Sequence, residues 1–340
     1  MSFGEMPIWV LVAVFAAATT AVWFAGTRLA RLVAAISAKT GMGQAAAGMI
    51  LLASITSSPE LAVSTAATLR GTPMLSLSDV LGSTAVNLVI LAIADACYGR
   101  DSVTTRVPSL NVVLQGVLGI VVFALTAVGT YATEAAWLGV GVGSWLIVLA
   151  YGAGVTLLVR SRADEHWKPT SGPEREEEPE GDERSLSRLV TLTVAAGLVI
   201  LVAGFFLASA GEALAERSGL GQSFFGAVIL SLATSTPEIS TVLESVRLRR
   251  YTMAISEIFG TNLFNVTIIF YIDALHRRGP VLLEAGPFGA TAALLGLVLT
   301  AIYVVGMIER RDRTLGRMGY DSVAVVFVYL AGLSLLYAQR

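Results

Sequence analysis

The chain has 340 residues, of which 55% are apolar and 14% charged, with a formal net charge of −2 and a mean hydropathy of +0.73. So little polar surface cannot cover a soluble globule of this length, and the near-neutral charge balance gives no footing for nucleic acid. The single Cys97 rules out an internal disulfide framework, and the sequence reads as an all-α integral membrane protein.

Apolar runs of the length that crosses a bilayer, about 20 residues, fall near 7–27, 44–69, 74–98, 107–129, 134–159, 188–209, 220–246, 253–275, 281–306 and 320–338. They predict ten transmembrane helices. No Lys or Arg precedes the first run, so it reads as a retained helix and not as a signal peptide. With the loops assigned to alternate sides, every Lys and Arg except Arg70, Arg217, Arg277, Arg278 and Arg340 falls on one side. The positive-inside rule makes that side cytoplasmic, with both termini outside and a plasma (inner) membrane as the host bilayer.

Span 1 is rich in small residues, from Ala16 to Thr20 and at Gly26, and span 6 matches it with Gly197, Gly204, Ala208 and Ser209. Small faces let helices pack closely and equally let one slide along another. The stretch that follows span 1 occurs twice. Residues 41–96 contain Ile55-Thr56-Ser57-Ser58-Pro59-Glu60 and Gly82-Ser83-Thr84-Ala85-Val86-Asn87. Residues 219–274 contain Ala233-Thr234-Ser235-Thr236-Pro237-Glu238 and Gly260-Thr261-Asn262-Leu263-Phe264-Asn265. Each position in the second copy lies 178 after its counterpart, as Glu238 does after Glu60, with no insertion or deletion. Five spans per copy is an odd number, so the second copy enters from the opposite face and the two form inverted repeats. The expected domains are an N-terminal half (1–160), an acidic cytoplasmic linker (161–187), disordered by its run of Glu and Asp, and a C-terminal half (188–340).

Proline lacks the N–H for the i−4 carbonyl and its ring clashes with that turn, so helix 2 should break at Pro59 and helix 7 at Pro237. A broken helix at membrane depth survives where the freed backbone lines a polar cavity, and exposed carbonyls there bind cations. Thr56, Ser57 and Ser58 add hydroxyls before the first break and Glu60 adds a charge after it. An intramembrane carboxylate costs at least about 2–3 kcal/mol and therefore marks function. Span 3 stacks Asp79, Ser83 and Asn87 on one helix face, and span 8 stacks Glu257, Thr261 and Asn265. Together these groups make a cage of hard oxygens, suited to Ca²⁺ or Na⁺ and lacking the Cys and His that favour zinc or copper.

The doubled Thr-Ser-x-Pro-Glu and Gly-Ser/Thr-x-x-x-Asn motifs resemble the two alpha repeats of the cation/calcium antiporter superfamily, which includes the sodium/calcium exchangers. The resemblance implies that Glu60 and Glu238 are the central cation ligands, with Thr56, Ser57, Thr234 and Ser235 beside them. It also points to Ser83, Asn87, Thr261 and Asn265, and to the backbone carbonyls of Ala53 and Ser231. It implies a secondary antiporter exchanging Ca²⁺ for Na⁺ by alternating access. No cofactor, enzyme chemistry or obligatory protein partner is expected beside inorganic cations and the bilayer.

This chain departs from the family pattern in two places. Exchangers often carry an Asp at one of the positions held by Asn87 and Asn265, so the site core keeps only two acids. The family's Gly-Asn is replaced by Ser78-Asp79 and Ser256-Glu257. These acids either line opposite mouths of the pathway or sit at helix N-termini, where a carboxylate is favourable against the dipole. Proton-coupled Ca²⁺ transport, with Glu60 and Glu238 releasing protons, is the nearest alternative function. Asp95 and Asp273 read as interfacial structural acids near the ends of spans 3 and 8. An intramembrane aspartyl protease would need them to share a proton, yet inverted repeats put them near opposite faces. Glu244, with Arg247, Arg249 and Arg250, reads as an interface anchor at the end of span 7.

Overall fold

The computed structural model describes residues 3–98, 102–107, 109–131, 135–160, 182–217, 222–309 and 314–339. Most of the expected acidic linker, its part at 161–181, lies outside the described residues, as does the start of the second alpha repeat at 219–221.

Helix α1 (Ile8–Thr40) runs well past the predicted end of span 1 and closes on Gly41, whose φ of 69° is left-handed and free of strain only for glycine. Next come α2 at 44–56, α3 (Ser58–Leu69), α4 (Pro73–Tyr98), α5 (Leu110–Gly129) and α6 (Val142–Arg160). The second half holds α7 (Leu186–Glu216), α8 at 222–234, α9 (Thr236–Arg247), α10 (Tyr251–His276), α11 (Val281–Glu309) and α12 (Tyr320–Ala338). The boundaries of α2, α3, α4 and α6 recur 178 positions later in α8, α9, α10 and α12, and Ile8 at the head of α1 stands in the same relation to Leu186 at the head of α7. Among the described residues eight helices are long and apolar enough to cross a membrane, counting α2 with α3 as one. The pair α8 and α9, bent by 47°, makes a ninth, and α6 is apolar but shorter.

Three local expectations need correction. The predicted start of span 5 is a hairpin of β1 (Ala136–Trp137) and β2 (Val140–Gly141), turned through Leu138 and Gly139 at positive φ; β3 (Thr314–Leu315) and β4 (Met318–Gly319) repeat it before α12. Span 9 is not continuous, because Gly286 adopts φ 50°, ψ −142° just before Pro287 and kinks α11. Finally, the interruptions in spans 2 and 7 fall at Ser57 and Ser235, two residues before each proline. Pro59 and Pro237 open α3 and α9, where a missing N–H costs no intrahelical bond. The Ile55 carbonyl that Pro59 cannot reach accepts the Ser58 hydroxyl at 2.7 Å.

Ahead of each interruption the chain winds as a π-helix, at Ala47–Leu52 in α2 and Gly226–Leu230 in α8. Each wide turn packs on the central helix of the other half: the first on α10, the second on α4. The approach is backbone to backbone. A Cβ at Gly82 of α4 would overlap the Ala227 main chain, and one at Gly260 of α10 would overlap that of Met49. This accounts for the glycine that opens each Gly-Ser/Thr-x-x-x-Asn motif.

The main core lies among α4, α5, α10 and α11. The long pair α1 and α7 packs chiefly on itself and leans on that core, α1 against α9 and α7 against α3. There the small residues face the interruptions: Gly26 lies on Pro237 and Ser240, and Gly204 on the Pro59 ring.

Two buried aspartates tie the halves together. Asp95 accepts the Val103 amide at 2.9 Å and the Gly319 amide at 2.7 Å, while Asp273 accepts those of Val281 and Gly141, both at 2.9 Å. Each carboxylate therefore holds the next segment of its own half and the hairpin of the other. Both are fully buried and lie near the ends of α4 and α10. Asp95→Ala strands two buried donors and should cost about 2–5 kcal/mol, read as a lower thermal unfolding midpoint in detergent. Asp95→Asn, which keeps one acceptor, should lose less.

Candidate functional site

Glu60 and Glu238 stand in the first turns of α3 and α9, and both are 0% exposed. Starting a helix just after a break points that first turn at the space between the halves. Glu60 lies within the field of Glu238 and of Asp79, and Glu257 within the field of Glu238. Thr234 faces Glu60 and Thr56 faces Glu238, so each hydroxyl is set against the acid of the other half. Thr234 lies 3.2 Å from Asp79 Oδ1, and Thr56 lies 3.1 Å from the Leu52 carbonyl. None of the four oxygens of Glu60 and Glu238 has a partner in hydrogen-bonding geometry. Among the described residues neither acid has an ion-pair partner.

The remaining predicted residues are brought to the same place, with unequal bonding. The hydroxyls of Ser57, Ser235 and Thr261 are buried and unpartnered. Ser83 Oγ lies 3.2 Å from Thr234 Oγ1, a link that Thr261 does not make to Thr56. Asn265 has neither amide atom paired, and Asn87 keeps a free Oδ1. The Ala53 and Ser231 carbonyls are not released by the interruptions, for they accept the Ser57 and Ser235 amides at 3.1 and 2.9 Å. Only their second lone pairs are left for weaker contacts.

Asp79 and Glu257 are not at helix starts. Each lies beyond the first turn of its helix, α4 or α10, and is 0% exposed beside the central pair. Thr241 donates to Glu257 Oε1. Sequence reasoning also missed Asn262, which accepts Asn87 Nδ2 at 3.0 Å and donates to the Thr84 carbonyl at 3.0 Å, bridging α10 to α4. The one signal was a second asparagine a turn before Asn265, inside an apolar span. Glu244 is itself 4% exposed and is held by two exposed arginines, Arg31 Nε of α1 at 2.7 Å and Arg247 of its own helix at 3.7 Å, so it also ties α9 to α1. Toward the far end of α7, Glu212 pairs with Arg70 at 3.6 Å. Asp95 and Asp273, each saturated by backbone amides in its own clasp, share no proton, which removes the protease arrangement.

Among the described residues no three Asp, Glu, His or Cys side chains converge as a metal group. A cation here must complete its shell with hydroxyl and amide oxygens, the donor set of Ca²⁺ and Na⁺. The profile of the sodium/calcium exchanger protein family matches residues 10–159 and 188–338, both sides of the linker. The chain belongs to this family.

Relatives of this exchanger-family chain include the "Inner membrane protein YrbG" of Escherichia coli K12, 24% identical over 293 residues and covering 85% of each chain. The "Putative antiporter CaxA" of Alkalimonas amylolytica is 24% identical over 276 residues, covering 79% of this chain and 82% of its own. The fold matches solved structures of the sodium-calcium exchanger NCX_Mj. One soaked with 2.5 mM Na⁺ and 0.1 mM Sr²⁺ aligns at a TM-score of 0.70 and 12% identity, over 96% of this chain and 99% of that one. A second, at 100 mM Na⁺ and 10 mM Sr²⁺, gives 0.71 and 11%. The chain is thus a multi-pass integral membrane protein with an exchanger fold.

The bonding pattern separates two neighbouring asparagines of this exchanger-family chain. Asn262→Ala should lower ion-free stability in detergent by about 1–3 kcal/mol, since it strands the Asn87 amide. Asn265→Ala removes an amide with no protein partner and should leave the unfolding midpoint nearly unchanged.

Proposed function

We propose that the chain is a secondary antiporter that exchanges Ca²⁺ for Na⁺ by alternating access. The reading is supported above all by the pair Glu60 and Glu238: fully buried, close enough to act on each other electrostatically, and with every oxygen unpartnered. Two carboxylates carry the charge to match one Ca²⁺ or to share several Na⁺ in overlapping positions. Occupancy by one kind of ion then excludes the other, and that competition is antiport. Glu60, Glu238, Thr56, Ser57, Thr234, Ser235, Ser83, Asn87, Thr261 and Asn265, with the backbone carbonyls of Ala53 and Ser231, act as ligands in this proposal.

In the same proposal residues 1–160 and 188–340 are inverted repeats of five spans each, ten in all. Both termini are outside a plasma (inner) membrane, and residues 161–187 are cytoplasmic. Helices α1 and α7 move as a unit over the rest. Gly26 and Gly204, seated on the proline turns, give the sliding surface. Arg31–Glu244 and Arg70–Glu212 hold the pair to the core, one through α1 and one through α7. An ion-free site leaves two uncompensated buried carboxylates, which resists the crossing and suppresses leak.

The test is radioactive Ca²⁺ uptake into proteoliposomes under an outward Na⁺ gradient, an outward H⁺ gradient or neither. Uptake should follow the Na⁺ gradient. Replacing both acids by glutamine should lower it by at least about 100-fold, the equivalent of ~3 kcal/mol. Uptake driven only by H⁺ would instead establish proton coupling, and gradient-independent flux a channel. Gly26→Leu or Gly204→Leu should slow exchange by about tenfold or more through steric locking, with Ca²⁺ binding in detergent retained.

A further inference from the structure

The apolar run at 134–159 is divided between a hairpin and a helix, and the helical part is too short to cross a bilayer alone. The apolar length of α6, Val142–Leu158, is about 26 Å at about 1.5 Å per residue, against the roughly 30 Å of a hydrocarbon core. The hairpin of β1 and β2 stands directly ahead of it, and its tip carries Trp137 at 60% and Leu138 at 78% exposure. In water such a tip would leave both side chains unburied. At the end of a membrane span it matches the headgroup boundary, where tryptophan collects.

The backbone of the hairpin suits the same place. A strand edge cannot enter lipid with bare amides and carbonyls. Here the Trp137 carbonyl accepts the Trp145 indole N–H at 3.1 Å, the Ala135 carbonyl accepts the Val142 amide at 3.1 Å, and the Gly141 amide donates to Asp273 at 2.9 Å. The rings continue this brace inward: Trp137 lies 4.9 Å from Trp145, which meets Phe270 of α10 edge-on at 4.7 Å. The related hairpin of β3 and β4 is built otherwise. Its turn reads Leu315-Gly316-Arg317, and Val323 stands where Trp145 does, with no donor to offer.

We propose that the β1–β2 tip is inserted at the boundary between lipid headgroups and acyl chains and anchors the adjoining end of α10, to which Asp273 ties it. Lipid is the occupant, because the exposed apolar face continues down α6 through Val142, Leu146 and Leu149, the open side of a membrane span. The inference needs only that the chain spans a membrane and is independent of the antiport reading.

The test is spin-label depth in proteoliposomes. Cys97 is the sole cysteine, so Cys97→Ser with Leu138→Cys places one label at the tip. Its collisions with oxygen should exceed those with a water-soluble nickel chelate by about threefold or more, as for a group below the headgroups. An equal or higher nickel rate would overturn the proposal. So would an oxygen preference that vanishes as the protein is diluted in lipid, since that marks a second copy as the cover. With the label moved to Arg278→Cys, beyond the end of α10, adding Trp137→Ser and Leu138→Ser should raise the nickel rate by about twofold; an unmoved label there would overturn the anchor. A label-free measurement covers variants that do not fold. The emission that Trp137→Phe removes from the wild-type spectrum should be quenched by lipids brominated near the headgroup and spared by aqueous iodide, and the reverse would overturn the insertion.

Discussion

A carboxylate held away from water and from any base is stable only if something positive joins it, and among the described residues four such groups are buried on α3, α4, α9 and α10. Desolvating a charge is costly enough that evolution seldom tolerates it without use. Glu60 and Glu238 carry no partner on any oxygen, and Asp79 and Glu257 keep one oxygen free each. The rest of the architecture serves to keep them there. The proline turns aim the glutamates inward, the π-helical turns bring α2 and α8 onto the opposite central helices, and two glycines let those backbones meet.

Asp95 and Asp273 are the instructive contrast. They are buried carboxylates on the same two helices as Asp79 and Glu257, yet each oxygen receives a backbone amide. A carboxylate saturated by fixed donors is a structural clasp; one left bare keeps its oxygens free. Environment, not residue type or depth, divides the acids of this chain into those that hold the halves together and those that are available to an ion.

Much of this was legible in the sequence because it is written locally and twice. The constant offset, the Pro-Glu step and the stacked polar residues of spans 3 and 8 are matters of spacing along one helix. What escaped was set by residues far away in the chain. The depth of Asp79 depends on where α4 begins and on Thr234 of the other half. Asn262 takes its meaning from Asn87, 175 residues off, and Glu244 from Arg31, 213 residues off. The π-helical turns likewise follow from a helix crossing that no local periodicity announces, and the first hairpin was hidden within an apolar run.

The clasps also have a consequence for how the molecule is made. Asp95 needs the amide of Gly319, 224 residues further on. A ribosome adding about 5–20 residues per second needs on the order of ten to forty-five seconds to cover that distance. Through that interval the first half sits in the bilayer with a charged or protonated aspartate whose final donor does not yet exist. The clasp between the two halves at Asp95 can therefore close only after nearly all of the second half has been made.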